Sequence, residues 1–115
     1  MVVIRPATEA DIAEMAVAQF AAFWSNFNEL VPGSHGYPGY RDKVVAFAED
    51  SARQHWPDAS VAIVDGELAG HCYIDLKTRI LEGLWVKPEF QGQGIGGALI
   101  EDALARFGKS SLDAV

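Results

Sequence analysis

The chain is poor in cysteine, poor in positive charge and without any long hydrophobic run, and each shortage excludes a class of protein. A single cysteine in 115 residues, Cys72, rules out an intramolecular disulfide framework and suits a reducing compartment, so a cytoplasmic location is expected. Lys and Arg number 9 against 16 Asp and Glu, and the net charge of −7 would make nucleic acid or an anionic membrane repel the chain as a whole. The opening Met1-Val2-Val3-Ile4-Arg5-Pro6 is interrupted too soon for a signal peptide, and no apolar run approaches the roughly 20 residues of a membrane span. Clusters of His, Cys, Asp and Glu at metal-ligand spacing are missing as well. No nucleic acid, membrane or metal partner is therefore expected. With half of its residues hydrophobic and no repeat, linker or low-complexity tract, the chain reads as one domain over 1–115, burying roughly two-thirds of its unfolded surface.

What is present is an alternation of helix and strand signals. Val2 to Ile4 predicts a short strand, and Thr8 followed by Asp11 predicts a capped helix start with Ile12, Met15, Ala16, Phe20 and Phe23 on its apolar face, Gln19 being the one polar interruption. From Trp24 to Tyr40 the residues Asn26, Asn28, Pro32, Gly33, Gly36, Pro38 and Gly39 predict a loop, with Trp24, Phe27, Tyr37 and Tyr40 as aromatic surface. A second helix is predicted from about Tyr40 to His55, with Tyr40, Val44, Phe47, Ala48, Ser51 and His55 along one stripe and Pro57 ending it. Asp65-Gly66 is a hairpin signal between strands over 60–64 and 68–76, and a third strand is predicted over 80–86. A last helix runs from about Gly94 to Phe107 with Ile95, Leu99, Ile100, Ala103, Leu104 and Phe107 inward and Gly108 as its cap, and Ser111 to Val115 reads as the beginning of another strand.

Function is concentrated between Leu81 and Leu99. An apolar strand, a turn at Pro88 and four glycines between Gln91 and Gly97 lead into a helix, whose unpaired first amides form an anion-binding site. Gly92, Gly94 and Gly97 satisfy the dinucleotide pattern G-x-G-x-x-G, but five residues separate the strand from the first glycine and an antiparallel hairpin precedes it, which is the wrong context. Gly108-Lys109-Ser110 looks like the end of a phosphate-binding P-loop, but Ala103 stands where that loop needs glycine.

Gln91-x-x-Gly94-x-Gly96 resembles the Gln/Arg-x-x-Gly-x-Gly/Ala motif of the GNAT N-acetyltransferase superfamily, and Leu84 to Phe90 resembles the strand and turn before it. Ile4-Arg5-Pro6-Ala7-Thr8 with Ala10-Asp11 resembles the family's first strand and helix, and Asp65-Gly66-Glu67-Leu68-Ala69-Gly70 its central hairpin. The resemblance implies an α/β fold with a mixed, mostly antiparallel sheet flanked by helices. It implies acetyl-CoA or a related acyl-CoA as co-substrate, held by Gln91, Gly92, Gln93, Gly94, Ile95, Gly96 and Gly97 at the pyrophosphate. A strand bulge at Leu84, Trp85 and Val86 would serve the pantetheine arm and explain how Leu81, Leu84 and Val86 share a face. It further implies acetyl transfer to a primary amine, small or peptidic, by direct attack on the thioester. Main-chain donors and a helix dipole let an acidic protein hold a polyanion there.

Glu82, a carboxylate on an apolar strand, is the candidate general base, the alternative being an ion pair with Arg79 or Lys87. Trp24, Phe27, Tyr37 and Tyr40 are candidate acceptor contacts or, alternatively, packing residues, and His35 lies in the same loop. His55, His71 and Cys72 read as structural, Cys72 being a small core hydrophobe. The family's usual C-terminal helix and last strands, with the tyrosine that protonates the thiolate, have no counterpart before Val115. A site completed by a second copy, another chain or a further C-terminal segment is expected if the domain is an enzyme. The alternatives are a CoA-binding or protein-interaction domain without turnover and, less favoured, a dinucleotide-dependent oxidoreductase.

Overall fold

Two apolar layers, one on each face of a single sheet, set the architecture. The computed structural model describes residues 1–30, 36, 38–75, 77, 78 and 80–107. These form strand β1 (Val2–Pro6), helix α1 (Ile12–Leu30), helix α2 (Tyr40–His55), strands β2 (Ala59–Val64), β3 (Glu67–Asp75) and β4 (Ile80–Val86), and helix α3 (Ile95–Phe107). The strands lie in the order β1-β2-β3-β4 and every pairing is antiparallel.

On one face, Met15, Ala16 and Ala18 of α1 and Ala48 and Ala52 of α2 close over Ala59, Val61 and Leu68. On the other, Ile95, Leu99 and Ala103 of α3 cover Ala62, Ala69, Cys72 and Ile74. Burial of a side chain the size of Met15, Leu68 or Leu99 contributes about 1.5–3 kcal/mol, so the two layers are the main source of stability. Cys72 belongs to the second layer: its thiol donates to the Leu99 carbonyl at 3.7 Å, and burial pushes its pKa up to about 11, which leaves it an inert core residue.

Local chemistry places the elements. Asp11, three residues after Thr8, accepts the Thr8 backbone N–H at 2.7 Å and receives both arms of the Arg5 guanidinium at 2.7 and 3.0 Å. One carboxylate thus fixes the start of α1 to β1, and the Arg5 hydrogen bonds hold its pKa below the ordinary carboxylate value. The β2–β3 hairpin turns through Asp65 (φ 50) and Gly66 (φ 85), the two left-handed residues of a tight turn.

Two expectations need correction. Trp24 and the residues after it up to Leu30 are helical, not loop, because α1 continues past its two asparagines. Within the α2 stripe, Phe47 is 69% exposed and Ala52 takes a buried place instead. The expected α/β fold, a mostly antiparallel sheet flanked by helices, is the one found, every pairing among the described residues being antiparallel. His35, Tyr37, Leu76, Arg79, Gly108, the strand expected over 111–115 and the side chains of Phe27 and Phe107 lie outside the described residues.

Candidate acyl-CoA site

β4 carries the site because it is the last strand of the described sheet. Its pairing with β3 runs Gly70↔Val86, His71↔Trp85, Cys72↔Leu84 and Tyr73↔Gly83, then jumps to Ile74↔Leu81, so Glu82 is an extra residue, a bulge. The bulge expected at Leu84–Val86 therefore lies two residues earlier. Its consequence is the expected one: Leu81 and Val86 both pack on the α3 layer, and Leu84 and Val86 both approach Gly96 of α3. Trp85, between them, turns its indole to the opposite face, where it lines a groove with residues of α1 and α2.

The strand also offers backbone groups. Lys87 N–H donates to the Ala69 carbonyl at 2.9 Å, which extends the β3–β4 ladder by one residue. Antiparallel alternation then directs the backbone groups of Trp85 toward β3 and those of Leu84 and Val86 outward. The Val86 carbonyl accepts the Gln91 side-chain amide at 3.0 Å, so Leu84 presents the free edge. Gln91 thus acts by tying the glycine segment back to the strand end, and Gln93 similarly donates to the Glu89 carbonyl at 3.3 Å.

Beyond the strand, a single helical turn at Pro88–Phe90 leads to Gly92 (φ 79) and Gly94 (φ 80), both in the left-handed region that glycine adopts without strain. The first bond of α3 runs from Ala98 N–H to the Gly94 carbonyl at 3.0 Å. The amides of Ile95, Gly96 and Gly97 consequently have no intrahelical acceptor. A Cβ built at Gly92, Gly94 or Gly97 would meet nothing within 4 Å, so these donors sit under open space. The first turn of α3 carries no acidic residue to compete for its positive end. Amides, dipole and space together fit a diphosphate.

Glu82 is exposed at the bulge. The pairing considered for it with Lys87 is replaced by one between Lys87 and Glu67, at 3.8 Å. Trp24 stacks between Phe20 (5.5 Å) and Tyr40 (6.0 Å), which joins α1 to α2. His55 stacks on Tyr73 at 4.1 Å and His71 is buried on β3, placements that fit the structural reading of both.

Sequence reasoning missed the groove of about 370 Å³ that Trp85 lines with Phe20, Phe23, Tyr40, Val44 and Phe47. Gln19, buried in its wall with Oε1 lacking a partner among the described residues, was the available signal: a polar residue interrupting an apolar stripe.

The arrangement agrees with known proteins. The Acetyltransferase (GNAT) family model matches residues 13–115. Among solved structures, a PaiA N-acetyltransferase from Thermoplasma acidophilum in complex with coenzyme A is similar at 17% identity and TM-score 0.70, over 97% of this chain and 75% of that one. A histone acetyltransferase HPA2 and related acetyltransferase from Corynebacterium glutamicum is similar at 22% identity and TM-score 0.72, over 93% and 72%. A GNAT family acetyltransferase from Brucella melitensis in complex with acetyl-CoA is similar at 26% identity and TM-score 0.61, over 92% and 68%. The sequence has no significant match among curated proteins. These likenesses set aside the dinucleotide fold, which needs parallel strands where the described sheet has none. Family model, fold and site geometry agree: the chain belongs to the GNAT acetyltransferase family.

Proposed function

We propose that the chain is an N-acetyltransferase that moves an acetyl group from acetyl-CoA to a primary amine. The observation that carries this reading is the juxtaposition of the free amides of Ile95, Gly96 and Gly97, under open glycine space, with the free backbone edge of Leu84. The amides and the helix dipole bind the diphosphate, and the Leu84 edge hydrogen-bonds the pantetheine arm as an added strand would. The acyl-CoA, when bound, supplies a thioester carbonyl whose C–S bond breaks as the amine nitrogen forms the new C–N bond. Glu82, at the bulge beside that edge, takes the proton lost by the amine through a water, and the thiolate leaves to be protonated by a group supplied from solvent or another part of the assembly. Trp24 and Tyr40 flank the acceptor from α1 and α2, and Phe27 and Tyr37 are the further acceptor contacts in this reading. The working form is a homodimer or a complex with another chain, in the cytoplasm.

The test is thiol release from acetyl-CoA with a panel of amines, beside CoA titration and sedimentation of the same protein. Amine-dependent thiol release supports the proposal. A protein that binds CoA and releases no thiol with any amine is a binding domain, and one protected by NAD but not by CoA has a different function altogether.

A further inference from the structure

We infer that the acceptor amine is carried on an apolar, aromatic-sized body and that this body occupies the groove between α1, α2 and β4; the inference rests on the acyltransferase reading. The groove's volume of about 370 Å³ lies within the range of small-molecule sites, and its walls are Phe20, Phe23, Tyr40, Val44, Phe47 and Trp85. Phe47 is the clearest sign that the walls serve something other than the fold. It is 69% exposed on a helix that buries alanines elsewhere, so it stabilises the chain little and is placed to contact a ligand.

One polar atom in the same walls bears on the other end of the ligand. Gln19 is 3% exposed, and its buried Oε1 has no hydrogen-bond partner among the described residues. Leaving such a group unpaired costs about 1–3 kcal/mol. Oε1 only accepts, which suits an amine N–H, and the terminal torsion of Gln19 is soft, so Oε1 can turn toward the groove. The Trp85 Nε1 is also buried without a partner among the described residues, but it lies against Gly83.

Charge points the same way. Although the chain carries −7 overall, the charged residue lining the groove is Lys43. This local positive charge disfavours a polycation, which the global charge would have attracted. Trp85 also connects the groove to the chemistry, since its neighbour Leu84 presents the strand edge assigned to the acyl-CoA.

The experiment compares 2-phenylethylamine with spermidine, by turnover with acetyl-CoA and by calorimetry on the CoA-saturated protein, in wild type and Phe47→Ser. A kcat/KM for 2-phenylethylamine at least roughly tenfold above that for spermidine is expected, equivalent to about 1.4 kcal/mol of discrimination. Phe47→Ser should raise the KM and calorimetric Kd for 2-phenylethylamine roughly fivefold or more, with kcat and CoA affinity held within about twofold. Equal or better use of spermidine, or an unchanged Kd for 2-phenylethylamine in the variant, overturns the inference while leaving acetyl transfer intact. Phe47-dependent binding of 2-phenylethylamine with no thiol released supports the groove and overturns the acyltransferase reading instead.

Discussion

His71 of β3 and Trp85 of β4 stand directly opposite each other in the sheet, and each carries a buried ring nitrogen without a hydrogen-bond partner among the described residues. Both face the helices α1 and α2, as does Tyr73. His71 sets a pH dependence. Burial lowers the His71 pKa from 6.5 to about 4, so between these values the unfolded chain binds a proton that the folded chain refuses. Stability is therefore full above pH 6.5 and falls by roughly 3 kcal/mol as the pH drops to 4. Urea unfolding of wild type and His71→Leu across this range should show a shallower decline in the variant. Identical slopes would remove His71 as the cause.

Two glycines are required for space, and they differ in what a methyl group would strike. A Cβ at Gly70 would lie 2.5 Å from the Trp85 carbonyl oxygen and 3.1 Å from the Val86 Cα, both backbone, so β3 and β4 would have to separate. A Cβ at Gly83 would lie 2.5 Å from Cε1 of Tyr73 and 3.0 Å from the Trp85 indole nitrogen, which are side chains with some freedom. Gly83→Ala should cost about 1–3 kcal/mol and Gly70→Ala more, measured by denaturant midpoints. Adding Tyr73→Leu should recover part of the loss in Gly83→Ala and none in Gly70→Ala.

The glycine segment separates conformation from space in another way. At Gly94 (φ 80) alanine is strained by about 1–2 kcal/mol although nothing obstructs it, whereas at Gly96 a Cβ meets only Leu84 and Val86 side-chain carbons at 3.8 and 3.9 Å. CoA titrations should show at least a roughly tenfold loss of affinity for Gly94→Ala, as the amides of the first helical turn are turned away. Gly96→Ala should bind CoA as wild type and unfold at a slightly higher temperature, from helix propensity. A Gly94→Ala protein with wild-type affinity would argue that the cofactor does not use these amides.

Glu82 is exposed, so its replacement by Gln should leave stability within about 0.5 kcal/mol. The turnover expected for Glu82→Gln is lower by roughly a hundredfold near neutral pH, with KM for acetyl-CoA little changed. Full activity across the pH range would take Glu82 out of the mechanism.

Most of this was legible in the sequence wherever short-range rules govern. Thr8 and Asp11 announced the start of α1, Asp65-Gly66 the hairpin, and the spacing of Gln91, Gly94 and Gly96 the anion site. Errors arose where tertiary context overrides local preference. Asn26 and Asn28 read as helix breakers, but their cost is small against a helix already nucleated and packed from Met15 to Ala22. The strand bulge was inferred from apolar residues that no regular pleat can align, yet that pattern constrains only the stretch between Leu81 and Leu84 and leaves the extra residue free within it. The groove was invisible because it belongs to no single segment: its aromatic residues look like core in every local window, and only the packing of α1 against α2 leaves Phe47 outside.

The extra residue at Glu82 has a partner in β3, where Ala69 is likewise unmatched between the pairs Ala62↔Gly70 and Ile63↔Leu68. A sheet alternates sides with period two, so each bulge acts as a phase shift, and the residues on either side of it obey opposite rules about which neighbour points to which helix. Excising Glu82 alone would bring Leu81 and Val86 to an even separation and so keep both on one face of a regular strand, at the expense of the bulge itself. Length variation in β3 and β4 is therefore governed by parity: the loss of one residue is tolerated best at positions 69 and 82, and at a paired position it is expected to do more damage than the substitution of several.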